Sequence, residues 1–186
     1  GLFPILLATK GFTLHEIGIV TATYPAVWGI GQLFTSKMAD RFCKKDLLYL
    51  GMLLQAIALL ALVWANSMVH FVILAAILGW GTAMVYPTFL ATVAENTHPQ
   101  DRAKSIGIFR LWRDMGYAIG AILTGILADF FSINTAIFFI GLLTFMSAFI
   151  IQRRMHCAVD GGKKILPRMP HNKQANDHHS NRLHFT

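Results

Sequence analysis

Long apolar runs, separated by short polar or charged stretches, set the pattern of this 186-residue chain. Residues 1–9, GLFPILLAT, are apolar but extend only about 13 Å as a helix, half of a bilayer core. Longer runs follow at about 17–36, 47–65, 69–92, 105–128 and 135–151. Each approaches the roughly 20 residues that a helix needs to cross about 30 Å of hydrocarbon. Between them lie KGFTLHE (10–16), SKMADRFCKKD (36–46), Asn66-Ser67-Met68, ENTHPQDRAK (95–104) and a turn at 129–134. Thr13 stands where it caps the helix that follows. The pattern predicts an all-α, polytopic transmembrane helix bundle over 1–154, with five full spans plus the end of another. The short first run implies a chain that begins inside a helix, as a fragment would. Beyond 154 the apolar periodicity is lost, and 155–186 is expected to be a disordered cytoplasmic tail.

Charge fixes the expected orientation. Lys37, Arg41, Lys44, Lys45, Arg102, Lys104, Arg153 and Arg154 fall on one side of the alternating spans, and Lys10 alone falls on the other. Basic loops beside spans stay cytoplasmic, so 37–46, 93–104 and the C-terminus are expected inside. The loops 10–16, 66–68 and 129–134 are then expected outside.

Composition agrees with a membrane chain: 55% of residues are hydrophobic and 13% charged, against about a quarter charged in soluble domains. The formal net charge of +7 does not argue for nucleic acid, because its cations sit in turns and in the tail rather than on an aromatic-interleaved face. Cys43 and Cys157 both fall on the expected cytoplasmic side, where thiols stay reduced, so no disulfide is expected. His171, His178, His179 and His184 lack ordered metal-ligand spacing, and a solvated tail outranks a metal tract. No HExxH, GxGxxG or GxSxG motif occurs, so no enzyme, cofactor or metal is expected.

Shifting the chain by 89 residues aligns Gly31–Phe42 with Gly120–Phe131, matching Gly, Thr, Ala, Asp and Phe, and sets Trp28 opposite Tyr117. The first copy ends inside and the second outside, the arrangement of inverted three-helix repeats in many secondary transporters. Polar residues gather in the first, third and fourth spans. Tyr24, Trp28 and Gln32 recur at i, i+4, i+8 on one face, and Thr82 and Tyr86 share a face of the third span. With Tyr117 they are candidates to line a cavity for an amphiphilic solute; an interfacial or helix-contact stripe is the other reading. Gly116 and Gly120 form a GxxxG, which predicts close helix contact. Arg110, Arg113 and Asp114 lie inside the fourth span, where a charge costs roughly 2.5–3.5 kcal/mol. The i, i+4 spacing of Arg110 and Asp114 predicts an ion pair with a structural or gating role; direct proton or substrate coupling is the alternative.

At Ser36–Leu48 the sequence resembles the signature loop of the major facilitator superfamily, G-x-L-A-D-R-x-G-R-K-x-x-L. Asp40, Arg41, Lys44, Lys45 and Leu48 match, while Ser36 and Cys43 stand at glycine positions and Met38 at leucine. Residues 79–91 and 102–129 resemble the tenth and eleventh helices of bacterial drug-efflux-like members. The resemblance covers about 1–154 and implies the C-terminal six-helix half of that fold, with a missing N-terminal half as its partner. It implies that Asp40 and Arg41, with Lys44 and Lys45 beside them, latch the two halves at the cytoplasmic side. It also implies that the first and fourth spans pack on the missing half, the third lines the cavity, and the second and fifth face lipid. The function expected is secondary active transport of a small organic solute across the cell membrane by alternating access, driven by an ion gradient with a proton as the first candidate; only the drug-efflux-like resemblance favours efflux, and import stays open. A non-transporting sensor or assembly partner of the same fold is the rival.

Overall fold

The structure, a computed structural model, describes residues 3–155, apart from the side chains of Asp40 and Arg41. The expected tail therefore lies outside the described residues, except for its first residue, Met155. Six helices follow in order: α1 (Phe3–Thr9), α2 (Leu14–Arg41), α3 (Lys44–Leu62), α4 (Met68–Glu95), α5 (Arg102–Phe130) and α6 (Ile133–Arg154). Most run past the expected apolar limits, because a helix continues into the polar layer once its ends are capped. At α2 the cap is a reciprocal box: Thr13 Oγ1 accepts from Glu16 N, and Glu16 Oε2 accepts from Thr13 N. Ser132 caps α6 by accepting from Thr135 N. Only α3 stops short, at Leu62. Val63, Trp64 and Ala65 donate to carbonyls three residues back, the tightened last turn common at helix ends.

Four helices, α2, α3, α4 and α6, are long and apolar enough to cross a membrane. The fifth expected span, α5, has 29 residues but is kept out of that set by composition, with Arg110, Arg113 and Asp114 in its middle.

Helix α4 lies between α2 and α3, and α3 lies between α4 and α6. Contacts run from Tyr24 and Trp28 at Gly79 to Gly31 and Thr35 at Ala83, so α2 and α4 are parallel. Glycines make the approach close. A Cβ at Gly79 would stand 2.6 Å from Tyr24 O, and one at Gly81 would stand 2.7 Å from Gly51 O. Thr35 Oγ1 donates to Ala83 O at 2.6 Å across this contact and is fully buried.

Leu6, Leu7, Val20, Leu62, Phe71 and Ile137 pack one end of the bundle, where Phe3 and Phe12 meet Phe71 edge-on. Lys10 bridges the turns there: its Nζ donates to Ala65 O at 2.6 Å and Asn66 Oδ1 at 2.8 Å.

Three expectations are corrected. Helix α3 does not simply face lipid, since it buries Leu47, Leu48, Gly51, Ala56, Ala58 and Leu62. An apolar side chain suits a helix contact and a lipid tail equally well, so composition could not separate them. The Gly116/Gly120 face makes no close contact among the described residues, where nothing lies within 4 Å of a Cβ at either. Cys43 is disulfide-bonded rather than reduced, which compartment reasoning alone did not foresee.

Candidate functional site

Three helices supply the polar and aromatic groups that converge near mid-bundle. On α2, Tyr24 and Trp28 stack one turn apart, with centroids 6.4 Å apart and planes at 22°. Trp28 then meets Tyr86 of α4 edge-on at 6.2 Å. The approach is possible because Gly79, directly behind these aromatics, lets α4 sit against the α2 backbone. Tyr24 Oη donates to Thr82 Oγ1 at 3.4 Å, and Thr82 Oγ1 donates to Leu78 O at 2.8 Å. On α5, Arg113 places its guanidinium over the Tyr86 ring, 5.2 Å from the centroid. The same group binds Asp114 Oδ1 through Nε at 2.9 Å and Nη2 at 2.8 Å. Tyr117, one turn on, lies within electrostatic reach of Tyr24, Tyr86, Arg113 and Asp114.

Five of the six cavity candidates, Tyr24, Trp28, Thr82, Tyr86 and Tyr117, thus come together with Arg113 and Asp114. Gln32 lies one turn further along α2, half-buried, and joins no hydrogen bond through its amide among the described residues. The expected Arg110–Asp114 pair is not formed. Asp114 is held by its neighbour Arg113, and exposed Arg110 has no ion-pair partner among the described residues. Adjacent side chains on a helix ordinarily diverge; here Tyr86 holds the long Arg113 side chain where it can fold back on Asp114.

The signature-loop residues sit at the other end of α2. Asp40 and Arg41 close that helix, but their side chains lie outside the described set. Lys45 is half-buried at the start of α3. Lys44, expected to act with the latch, ion-pairs with Glu95 at the end of α4 instead, so its charge is answered within this bundle. Sequence reasoning missed Glu95, although it is the only acidic residue of α4 and so the one carboxylate available there.

Chemically, the α2–α4–α5 site offers aromatic faces, one ion pair and an indole N–H. Trp28 Nε1 is buried and has no acceptor among the described residues. No nucleophile–base pair stands there, and no group of three His, Cys, Asp or Glu among the described residues could hold a metal. A separate apolar groove of about 290 Å³ is lined by Val27, Leu54, Ala76, Ile77 and Trp80.

Comparison with known proteins agrees with this architecture. The chain is 26% identical over 147 residues to the inner membrane transport protein YnfM of Escherichia coli, covering 79% of this chain and 35% of YnfM. It is 22% identical over 152 residues to a probable hexose phosphate transport protein of Chlamydia trachomatis, covering 82% and 33%. It is 31% identical over 102 residues to the multidrug resistance protein MdtH of Aeromonas hydrophila, covering 55% and 25%. The chain thus spans about a third of the length of these curated relatives. The family model for the Major Facilitator Superfamily matches residues 1–174. With its long apolar helices, this is a multi-pass membrane chain, and it belongs to the Major Facilitator Superfamily.

Proposed function

We propose that this chain is part of a secondary active transporter that moves a small organic solute by alternating access, coupled to a proton. The observation that carries the reading is the Arg113–Asp114 pair, held against Tyr86 partway along a helix that buries no residue. Charges at membrane depth are costly and mark ion or substrate paths. Here a carboxylate able to take a proton sits beside an aromatic-lined site.

In this reading the chain lies in the cell membrane, with 37–46, 93–104 and everything after α6 on the cytoplasmic side, and 1–154 forms the membrane unit. The uncovered faces of α2 and α5 receive a second six-helix unit. By the family likeness, Asp40, Arg41 and Lys45, and Arg110 on α5, act at the cytoplasmic junction with it and bias the balance of states. Export draws its support from the likeness to MdtH alone.

The test is transport by the full-length protein in vesicles, with a solute panel and an imposed pH gradient. Asp114→Asn is expected to abolish gradient-driven accumulation while counterflow exchange, which needs no gradient, persists. Undiminished accumulation in that variant would refute proton coupling at Asp114. No movement of any solute by the unmodified protein would favour a non-transporting sensor or assembly partner.

A further inference from the structure

The hydrogen-bonding groups around Tyr86 are out of balance. Tyr24 and Thr82 have both placed their hydroxyl protons, on Thr82 Oγ1 and Leu78 O. The buried Trp28 Nε1 has no acceptor among the described residues, and an indole nitrogen can only donate. A buried donor left unmade is costly. Arg113 directs both Nε and Nη2 at a single oxygen, Asp114 Oδ1. Its five N–H groups exceed what that oxygen and the neighbouring Tyr86 hydroxyl can accept. What the site has in surplus is donors, both beside the same tyrosine ring and flanked by aromatic faces.

We infer that the cargo of the α2–α4–α5 site is a monoanionic organic acid with an aromatic or otherwise flat apolar body, its carboxylate received by Arg113 and the Trp28 N–H. This rests on the transport reading of the same site. A cationic cargo fits worse. It would have to displace Arg113 from the Tyr86 face and from Asp114, stranding a guanidinium, and it would leave the Trp28 donor unanswered.

The inference has a pH consequence. The incoming carboxylate and Asp114 compete for one guanidinium, and a proton on Asp114 removes the competitor. Beside Asp114 stand Arg113, its ion-pair partner, and Tyr117, which lies in electrostatic reach of Asp114, Tyr86 of α4 and Tyr24 of α2; Arg110 is exposed on the same helix, and α6 carries no charge before Arg153. A protonated Asp114 therefore favours the anion and an ionised one opposes it, so proton and anion bind together. Cargo and proton then travel in the same direction.

The experiment compares three probes with the same ring, benzoate, benzamide and phenyltrimethylammonium, binding to the full-length protein in lipid nanodiscs. Binding is followed by calorimetry and tryptophan emission. Benzoate is expected to bind at least tenfold more tightly than benzamide, with phenyltrimethylammonium weaker still. Trp28→Phe, which keeps the ring and loses the N–H, should weaken benzoate about tenfold. Asp114→Asn should tighten benzoate at high pH and flatten its pH profile. Equal binding of benzoate and benzamide, preference for the cation, or no binding of any probe would each overturn the anionic cargo. The transport reading would survive all three results, because the gradient test of Asp114 depends only on whichever solute the panel shows to be carried.

Discussion

Gly79 and Gly116 are chemically alike and sit in opposite surroundings. A Cβ on Gly79 would lie 2.6 Å from a backbone oxygen of α2, whereas one on Gly116 meets nothing within 4 Å among the described residues. Gly79→Ala must push α4 off α2, an overpacking cost of about 1–3 kcal/mol, and should lower the unfolding midpoint of the six-helix unit in detergent. Gly116→Ala should instead stabilise that unit by up to about 1 kcal/mol, through helix propensity. A smaller loss for Gly79→Ala than for Gly116→Ala would contradict the packing. The spacing of Gly116 and Gly120 was legible in the sequence, but a small-residue face does not name its partner. The contact instead falls at Gly31, Gly51, Gly79 and Gly81, where another helix happens to cross. Arg113 gives the same lesson. Four-residue spacing pointed to Arg110 for Asp114, and the ring of Tyr86, on a different helix, decided otherwise. The aromatic face of Tyr24 and Trp28 could be read directly, since its periodicity lies within one helix.

Among the elements, α3 and α4 are tied at their charged ends by Lys44 and Glu95. Lys44 Nζ is buried, while the Glu95 side chain is 56% exposed. Solvent screening of the exposed partner limits the pair to about 1 kcal/mol or less. Lys44→Glu alone places two carboxylates together and should lower the unfolding midpoint. The swap Lys44→Glu with Glu95→Lys should recover most of the loss, and the difference should shrink in high salt. If the swap fares no better than the single reversal, the contact is not electrostatic. At this scale the helices themselves were legible, because capping and hydropathy are local. Their neighbours were not: an all-apolar α3 reads the same whether lipid or α6 lies beside it.

For the whole molecule, the order of spans and the eight-to-one distribution of Lys and Arg were visible before any coordinates, since membrane thickness and charge bias act on sequence directly. Parallel packing of α2 and α4 is what alternating spans require. Orientation can be measured in a background with Cys43→Ser and Cys157→Ser. Ser67→Cys should react with an impermeant maleimide added to intact cells, and His98→Cys only after permeabilisation. The reverse pattern would invert the topology and place the Lys44–Glu95 end outside.

That α5 contributes no buried residue has a consequence for how the protein is made. As the chain leaves the ribosome, this helix must partition into lipid carrying two arginines and an aspartate, each opposed by roughly 2.5–3.5 kcal/mol on insertion scales. Among the described residues, the earlier helices meet it through Tyr86 and Phe89 of α4, at Arg113 and Phe109. Its residence in the bilayer before assembly is therefore secured mainly by the flanking topology, with α6 and its terminal Arg153 and Arg154 anchoring the following turn. On the transport reading proposed above, those charges are withdrawn from lipid only when a second helical unit covers that face.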